Sequence, residues 1–242
     1  MITALPLEFK AVCSFLNNLE EVEHPQGNIY TKGIFHGEKN TWDILVAQIG
    51  KTNPIAAQET ERAIAFYQPS IALFIGIAAG IKDVKLGDII AGDKIYYYES
   101  GKWSEDQSGR SKFNPRPLVY NSGYRLVEHA KALARKDDWQ KLLYSSDLGP
   151  KPSVIVGPIA AGESVVASIA SEIYALIHEG YGDSIGLDME DFGFLRAAYA
   201  NPDLQALIVR GVSDLIKDKD KTDLSGNPAR TRRPPRRSQH SS

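Results

Sequence analysis

The sequence has a single cysteine, Cys13, which excludes a disulfide framework and a cysteine-based metal site. No apolar run reaches the length of a membrane span. His24, His36, His129, His178 and His240 are scattered, with no HxH or HxxxH spacing, so no metal site is expected. The opening Met1-Ile2-Thr3-Ala4-Leu5-Pro6 lacks the basic and apolar regions of a secretory signal. No internal repeat is found. These absences imply a cytoplasmic protein with no membrane partner.

What is present is ordinary globular composition, 43% hydrophobic and 24% charged over 242 residues, enough for one large core. The net charge of −2 hides an asymmetry, because Arg230, Arg232, Arg233, Arg236 and Arg237 lie in the last thirteen residues. Without those five, the 28 basic residues fall to 23 against 30 acidic ones, a net −7. An acidic body is a poor nucleic-acid binder, so no nucleic-acid partner is expected.

Short apolar runs alternate with amphipathic stretches. Strands are expected at residues 2–4, 28–36, 42–49, 71–76, 87–98, 153–156, 184–187 and 206–212. Helices are expected from Pro6 through Leu19, then over 55–67, 122–136, 164–179 and 189–199. Gly76 to Gly80 reads as a small-residue turn, and 99–120 as a long surface loop. The alternation predicts an α/β fold, a single-domain three-layer sandwich whose central mixed, mostly parallel sheet is flanked by helices. Residues 1–221 form this domain, and 222–242 form a disordered Arg/Pro/Ser-rich tail.

Two strand ends carry acids: Gly186-Leu187-Asp188-Met189-Glu190-Asp191 and Val209-Arg210-Gly211-Val212-Ser213-Asp214. Ligands of open α/β sheets bind beyond the carboxyl ends of strands. Taken alone, each acid also has a plain structural use. Glu8 suits a helix's first turn, Asp214 suits an N-cap, and Glu190 suits an exposed helix face. Asp88 reads as a turn acid, Cys13 as core, and Tyr96-Tyr97-Tyr98 as strand packing ahead of base stacking.

The order of these segments resembles the nucleoside phosphorylase superfamily, most closely its 5'-methylthioadenosine/S-adenosylhomocysteine nucleosidase branch. The resemblance rests on Thr3-Ala4-Leu5-Pro6-Leu7-Glu8, Gln48-Ile49-Gly50-Lys51-Thr52, Gly76-Ile77-Ala78-Ala79-Gly80-Ile81 with Leu86-Gly87-Asp88-Ile89, and the two acid-bearing turns. Gly157-Pro158-Ile159-Ala160-Ala161-Gly162-Glu163 resembles a subgroup often fused to signalling or defence modules. The resemblance covers residues 2 to about 221.

It implies that Asp214 protonates adenine N7, that Glu8 holds the attacking water, and that Glu190 grips the ribose hydroxyls. Met189 would pack on the sugar and Ser213 would support Asp214. Gly76, Ile77, Ala78 and Ala160 would complete the substrate site. No cofactor is implied. The expected partner is a small-molecule nucleoside, and the expected assembly is a homodimer.

Phosphorylases of the superfamily hold phosphate with arginine; the matching positions here are Phe74 and Ile77, which favours hydrolysis. Ile77 also replaces the serine usual in nucleosidases. Phosphorolysis, cleavage of AMP or ATP with Lys51 near a 5'-phosphate, and a non-catalytic nucleotide-sensing role all stay open. The family's apolar C-terminal helix has no counterpart in the Pro/Arg/Ser stretch 227–242, so a truncated homologue of reduced stability is expected.

Overall fold

In the computed structural model, which describes residues 1–136, 138–142, 151–166 and 168–216, the apolar runs build one large sheet. Its strands are β1 (Ile2–Thr3), β2 (Asn17–Glu23), β3 (Ile29–His36), β4 (Thr41–Gln48), β5 (Ile71–Gly80), β6 (Ile89–Tyr97), β9 (Leu118–Asn121), β10 (Val154–Ala161), β11 (Gly186–Asp188) and β12 (Gln205–Leu215). A separate hairpin pairs β7 (Gly101–Glu105) with β8 (Ser111–Pro115). The helices are α1 (Pro6–Cys13), α2 (Asn53–Tyr67), α3 (Tyr124–Ala134), α4 (Glu172–Gly180) and α5 (Asp191–Tyr199).

The strands run in the order β11-β10-β6-β12-β5-β1-β4-β3-β2, with β9 beside β6. β11 also pairs with β5, so β5, β12, β6, β10 and β11 close into a small barrel. Pairing is parallel for β1–β4, β1–β5, β5–β12, β6–β10 and β10–β11. It is antiparallel through β2–β3–β4, β6–β9, β6–β12 and β5–β11. Successive side chains on a strand point to opposite faces. Ala47 of β4 therefore joins the main core with α2 and α5, while Val46 joins Val12 and Cys13 of α1 on the other side. Phe74, Ile90, Ile95, Ile159, Phe194 and Ile208 form the centre of that core and are fully buried. Among the described residues no helix is long and apolar enough to cross a membrane.

Several elements differ from the expectation. The helix expected to run through Leu19 stops at Cys13, and Asn18 turns left-handed (φ 52°), which puts Leu19 in β2. Gly76 to Gly80 is the second half of β5: its small side chains are needed where the barrel closes, since a methyl on Gly80 would sit 2.6 Å from Val84 Cγ2. β10 runs past Pro158 because the proline sits at a register shift between Gly157 and Ile159, where no ladder donor is required. The expected loop 99–120 contains β7, β8 and β9. The turn between β7 and β8 is built on Asp106, which accepts from the Ser108 and Arg110 amides. The helix expected over 164–179 begins at Glu172, where Ser171 caps it by accepting from the Tyr174 amide at 3.1 Å.

Other expectations agree with the structure. Asp88 accepts from the Lys85 and Ser153 amides, a turn role. Cys13 is buried, and Tyr97 stacks on Phe192 at 4.5 Å. The tail expected from residue 222 lies outside the described residues.

α2 and α5 pack closely because Gly193 faces α2. Its amide donates to Asn53 Oδ1 at 2.9 Å, and a methyl in its place would overlap the Asn53 carbonyl oxygen. By helix propensity alone, Gly193→Ala gains about 1 kcal/mol. The overlap with main chain reverses that sign. Thermal melts are expected to show a loss of about 1–3 kcal/mol, or about 2–4 °C per kcal/mol; an unchanged or higher midpoint would refute the close packing.

Candidate active site

The first acid is set by the start of α1. Pro6 occupies the first helical turn, which leaves the Ala4 and Leu5 amides pointing outward. Glu8 reaches back, and its Oε2 accepts from Ala4 N at 2.9 Å and Leu5 N at 2.8 Å. Its Oε1 accepts from Ile77 N at 2.9 Å. One buried carboxylate therefore ties β1, α1 and β5 together, and its direction is fixed by three backbone donors.

The second acid follows β11. Asp188 Oδ1 accepts from the amides of Glu190 (2.8 Å) and Asp191 (3.1 Å), and this turn starts α5. Glu190 is thereby placed at the N-cap of α5, and its Oε1 accepts from Thr52 N at 3.1 Å. Burial, and then the neighbouring Asp188 charge, pushes the Glu190 carboxyl up to about 7. Asp191 has no solvent exposure, and burial raises its carboxyl well above the usual range against the pull of Arg210.

The third acid lies on β12. The β5–β12 register shifts between Val212, opposite Ala78, and Asp214, opposite Ala79, so Ser213 is an inserted residue. Ser213 Oγ lies 2.7 Å from Asp214 Oδ1 and 3.4 Å from the Ala78 carbonyl.

These three acids border one cleft of about 270 Å³, together with Ala4, Leu5, Lys51, Ile77, Ala78, Ala79, Ser164, Val165, Val166, Leu187, Asp188, Met189 and Ser213. The candidates Glu8, Ile77, Ala78, Met189, Glu190, Ser213 and Asp214 thus share one space. Gly76 and Ala160 are not among its lining residues. Ala160 is fully buried between Tyr96 and Leu187 in the sheet. Gly76 lies behind the wall, where a methyl would overlap Arg210 Nη1 and sit 2.6 Å from Glu8 Oε1. A larger cavity of about 800 Å³ opens at the other end of β5, around Ile71, Ala72, Leu73, Trp42 and Tyr67, far from the converging acids.

Sequence reasoning assigned no role to Arg210. It is fully buried, and its Nε donates to Asp191 Oδ1 at 2.9 Å. Its Nη2 donates to Asp188 Oδ1 at 3.2 Å and also to Asp191 Oδ1. Its guanidinium lies 4.0 Å from the centre of the Phe74 ring. Surrounding carboxylates hold this arginine charged. The available signal was a lone arginine inside the apolar run 206–212, since a charge in a buried strand requires partners.

The sequence model of the phosphorylase superfamily matches residues 1–232. An uncharacterized protein of Sinorhizobium fredii is 27% identical over 183 residues, 72% of this chain and 44% of that protein, so the chain spans less than half of that relative. A 5'-methylthioadenosine/S-adenosylhomocysteine nucleosidase of Haemophilus influenzae is 25% identical over 182 residues, 75% of this chain and 72% of that protein. Among solved structures, the corresponding nucleosidase of Colwellia psychrerythraea in complex with adenine aligns with a TM-score of 0.71 at 20% identity, covering 93% of this chain and 85% of that one. The futalosine hydrolase of Helicobacter pylori aligns with a TM-score of 0.69 at 18% identity, covering 93% and 87%. These two structural matches speak for the fold. With the superfamily model matching 232 of 242 residues, the chain belongs to the phosphorylase superfamily.

Proposed function

We propose that the protein hydrolyses the N-glycosidic bond of an adenine nucleoside of the 5'-methylthioadenosine/S-adenosylhomocysteine type, releasing adenine. The observation that carries this reading is the convergence of Glu8, Glu190 and Asp214, from three distant segments, on one cleft. Departure of adenine requires a proton on a ring nitrogen; Asp214, beside the Ser213 hydroxyl, supplies it. Glu190 accepts the ribose hydroxyls and Met189 packs on the sugar. Glu8 accepts the proton of the attacking water, the acid/base pairing of glycoside hydrolysis.

Charge supports water over phosphate as the nucleophile. Among the described residues lining the cleft, Lys51 is the one cation, against Glu8, Asp188, Glu190 and Asp214. Phosphate is normally held by arginine, and Arg210 is already engaged by Asp188 and Asp191. Ile77 makes the wall beside Glu8 apolar. The position of Lys51 keeps 5'-phosphorylated adenine nucleosides within the range of substrates to test.

The test is release of free adenine from 5'-methylthioadenosine, S-adenosylhomocysteine, adenosine, AMP and ATP, with and without phosphate. Release without phosphate is expected, and Asp214→Asn is expected to lower it by about 10²–10⁴-fold. Dependence on phosphate would make the protein a phosphorylase. Binding without any release would make it a sensing module.

Glu190 gives a second, pH-linked expectation. Its carboxyl is protonated in the empty protein below about 7, while gripping two sugar hydroxyls favours the charged form. Nucleoside binding at pH 6–7 therefore releases a proton, and affinity rises with pH through this range. For folding the sign is opposite. Because the folded value is raised, the group's contribution to stability is full below the ordinary 4.5 and is lost as pH rises through about 7. Calorimetry in buffers of different ionisation heat measures the proton. Proton release that persists in Glu190→Gln would refute the assignment.

The active form is read as a homodimer, supported by exposed Leu118, Val119 and Tyr199 on the neighbouring β9 and α5. Light scattering that gives a monomer at assay concentration would refute this.

A further inference from the structure

Asp191 occupies the first position of α5, where an acidic residue needs no explanation beyond the helix dipole. An acid serving only the dipole sits at the surface. Asp191 has no exposure, and its Oδ2 is buried with no hydrogen-bond partner among the described residues. Keeping such a group is costly unless it serves a partner. What Asp191 does make is a contact to the Arg210 side chain through Oδ1.

A guanidinium is a planar fork with five N–H donors. Asp188 also accepts from Arg210, but only from Nη2, and the same oxygen already serves the Glu190 and Asp191 amides. A fork held at Nη2 alone is free to pivot. Asp191 accepts from Nε, and with both Nε and Nη2 held, the plane is fixed over the Phe74 ring. The remaining nitrogen, Nη1, then lies over Gly76 beside Glu8 Oε1, and the space exists only because residue 76 has no side chain.

We propose that Asp191 is a positioning residue that fixes the rotation of the Arg210 guanidinium, so that its Nη1 edge faces Glu8 across Gly76. Its catalytic consequence rests on the hydrolysis reading above: with Glu8 aimed by three backbone amides, the Arg210 edge supplies the positive charge behind the carboxylate that holds the water. Asp191 itself does not touch the cleft, and it does not appear among the lining residues.

Two variants and one spectroscopic signal test this. Asp191→Leu keeps the branched shape and removes the acceptor; Asp191→Asn keeps an oxygen for the Nε–H. With Asp191→Leu, kcat is expected to fall about 10–100-fold with KM within about threefold, the pattern of a misplaced catalytic group. Asp191→Asn is expected to recover kcat to within about threefold of the parent. In ¹⁵N spectra, the Arg210 Nε–H proton, identified by its loss in Arg210→Lys, is expected to exchange slowly in the parent and in Asp191→Asn, and rapidly in Asp191→Leu. Equal kcat in both variants, or losses of kcat and KM that merely follow the melting temperature, would overturn the proposal. If Asp191→Leu does not fold, the parent spectrum decides, because fast exchange of the Arg210 Nε–H would overturn it equally. If the parent releases no adenine from any nucleoside, the hydrolysis reading fails, while the Nε–H signal still settles the role of Asp191.

Discussion

Arg210 sits inside β12 with no contact to water, and a charge so placed costs several kcal/mol unless it is paired and hydrogen-bonded. The surrounding architecture meets that demand. β11 ends at Asp188, its turn delivers Asp191 at the start of α5, the Phe74 ring of β5 is centred 4.0 Å from the guanidinium, and Gly76 leaves room for the last nitrogen. Three consecutive elements, β11, α5 and β12, are thus tied by a single cation to β5, more than a hundred residues earlier. Of these four, β5, β11 and β12 also belong to the closed barrel. Glu8 and Glu190 border the same cluster, so the cleft is the open edge of a structural ion-pair network.

That arrangement explains why the cleft holds so much negative charge. Glu8 is satisfied by three amides and Glu190 by one, while Asp188 spends its Oδ1 on two amides and Arg210. Backbone donors do most of the neutralising, and they are fixed before any ligand arrives, which is what electrostatic preorganisation requires. The raised Glu190 carboxyl marks where this compensation is incomplete.

The acids at strand ends were legible in the sequence because they break apolar runs: Asp188 and Glu190 after Gly186-Leu187, and Asp214 after Val212-Ser213. The alternation of strand and helix runs was legible for the same reason. Arg210 and Asp191 were not, since an arginine in a strand and an acid at a helix start each have a common surface explanation, and only their meeting in space excludes it. The run Gly76 to Gly80 misled as a turn because small residues serve two purposes: they free the backbone, and they let two chains approach closely. Closure of β5 onto β11 used the second. The start of α4 at Glu172 was set by the Ser171 cap, a local signal that hydrophobic periodicity outweighed.

The shifted register of β12 has one more consequence, which is a matter of parity. In an unbroken strand, neighbours face opposite ways, so Ser213 and Asp214 would lie on different sides of the sheet. The inserted residue resets the count, and both border the same cleft. A strand bearing one residue fewer here would still bring its acid opposite Ala79, but it would lose the Ser213 hydroxyl that lies 2.7 Å from that acid. The extra residue thus gives the site a hydroxyl beside the acid without moving the acid from its place in the ladder.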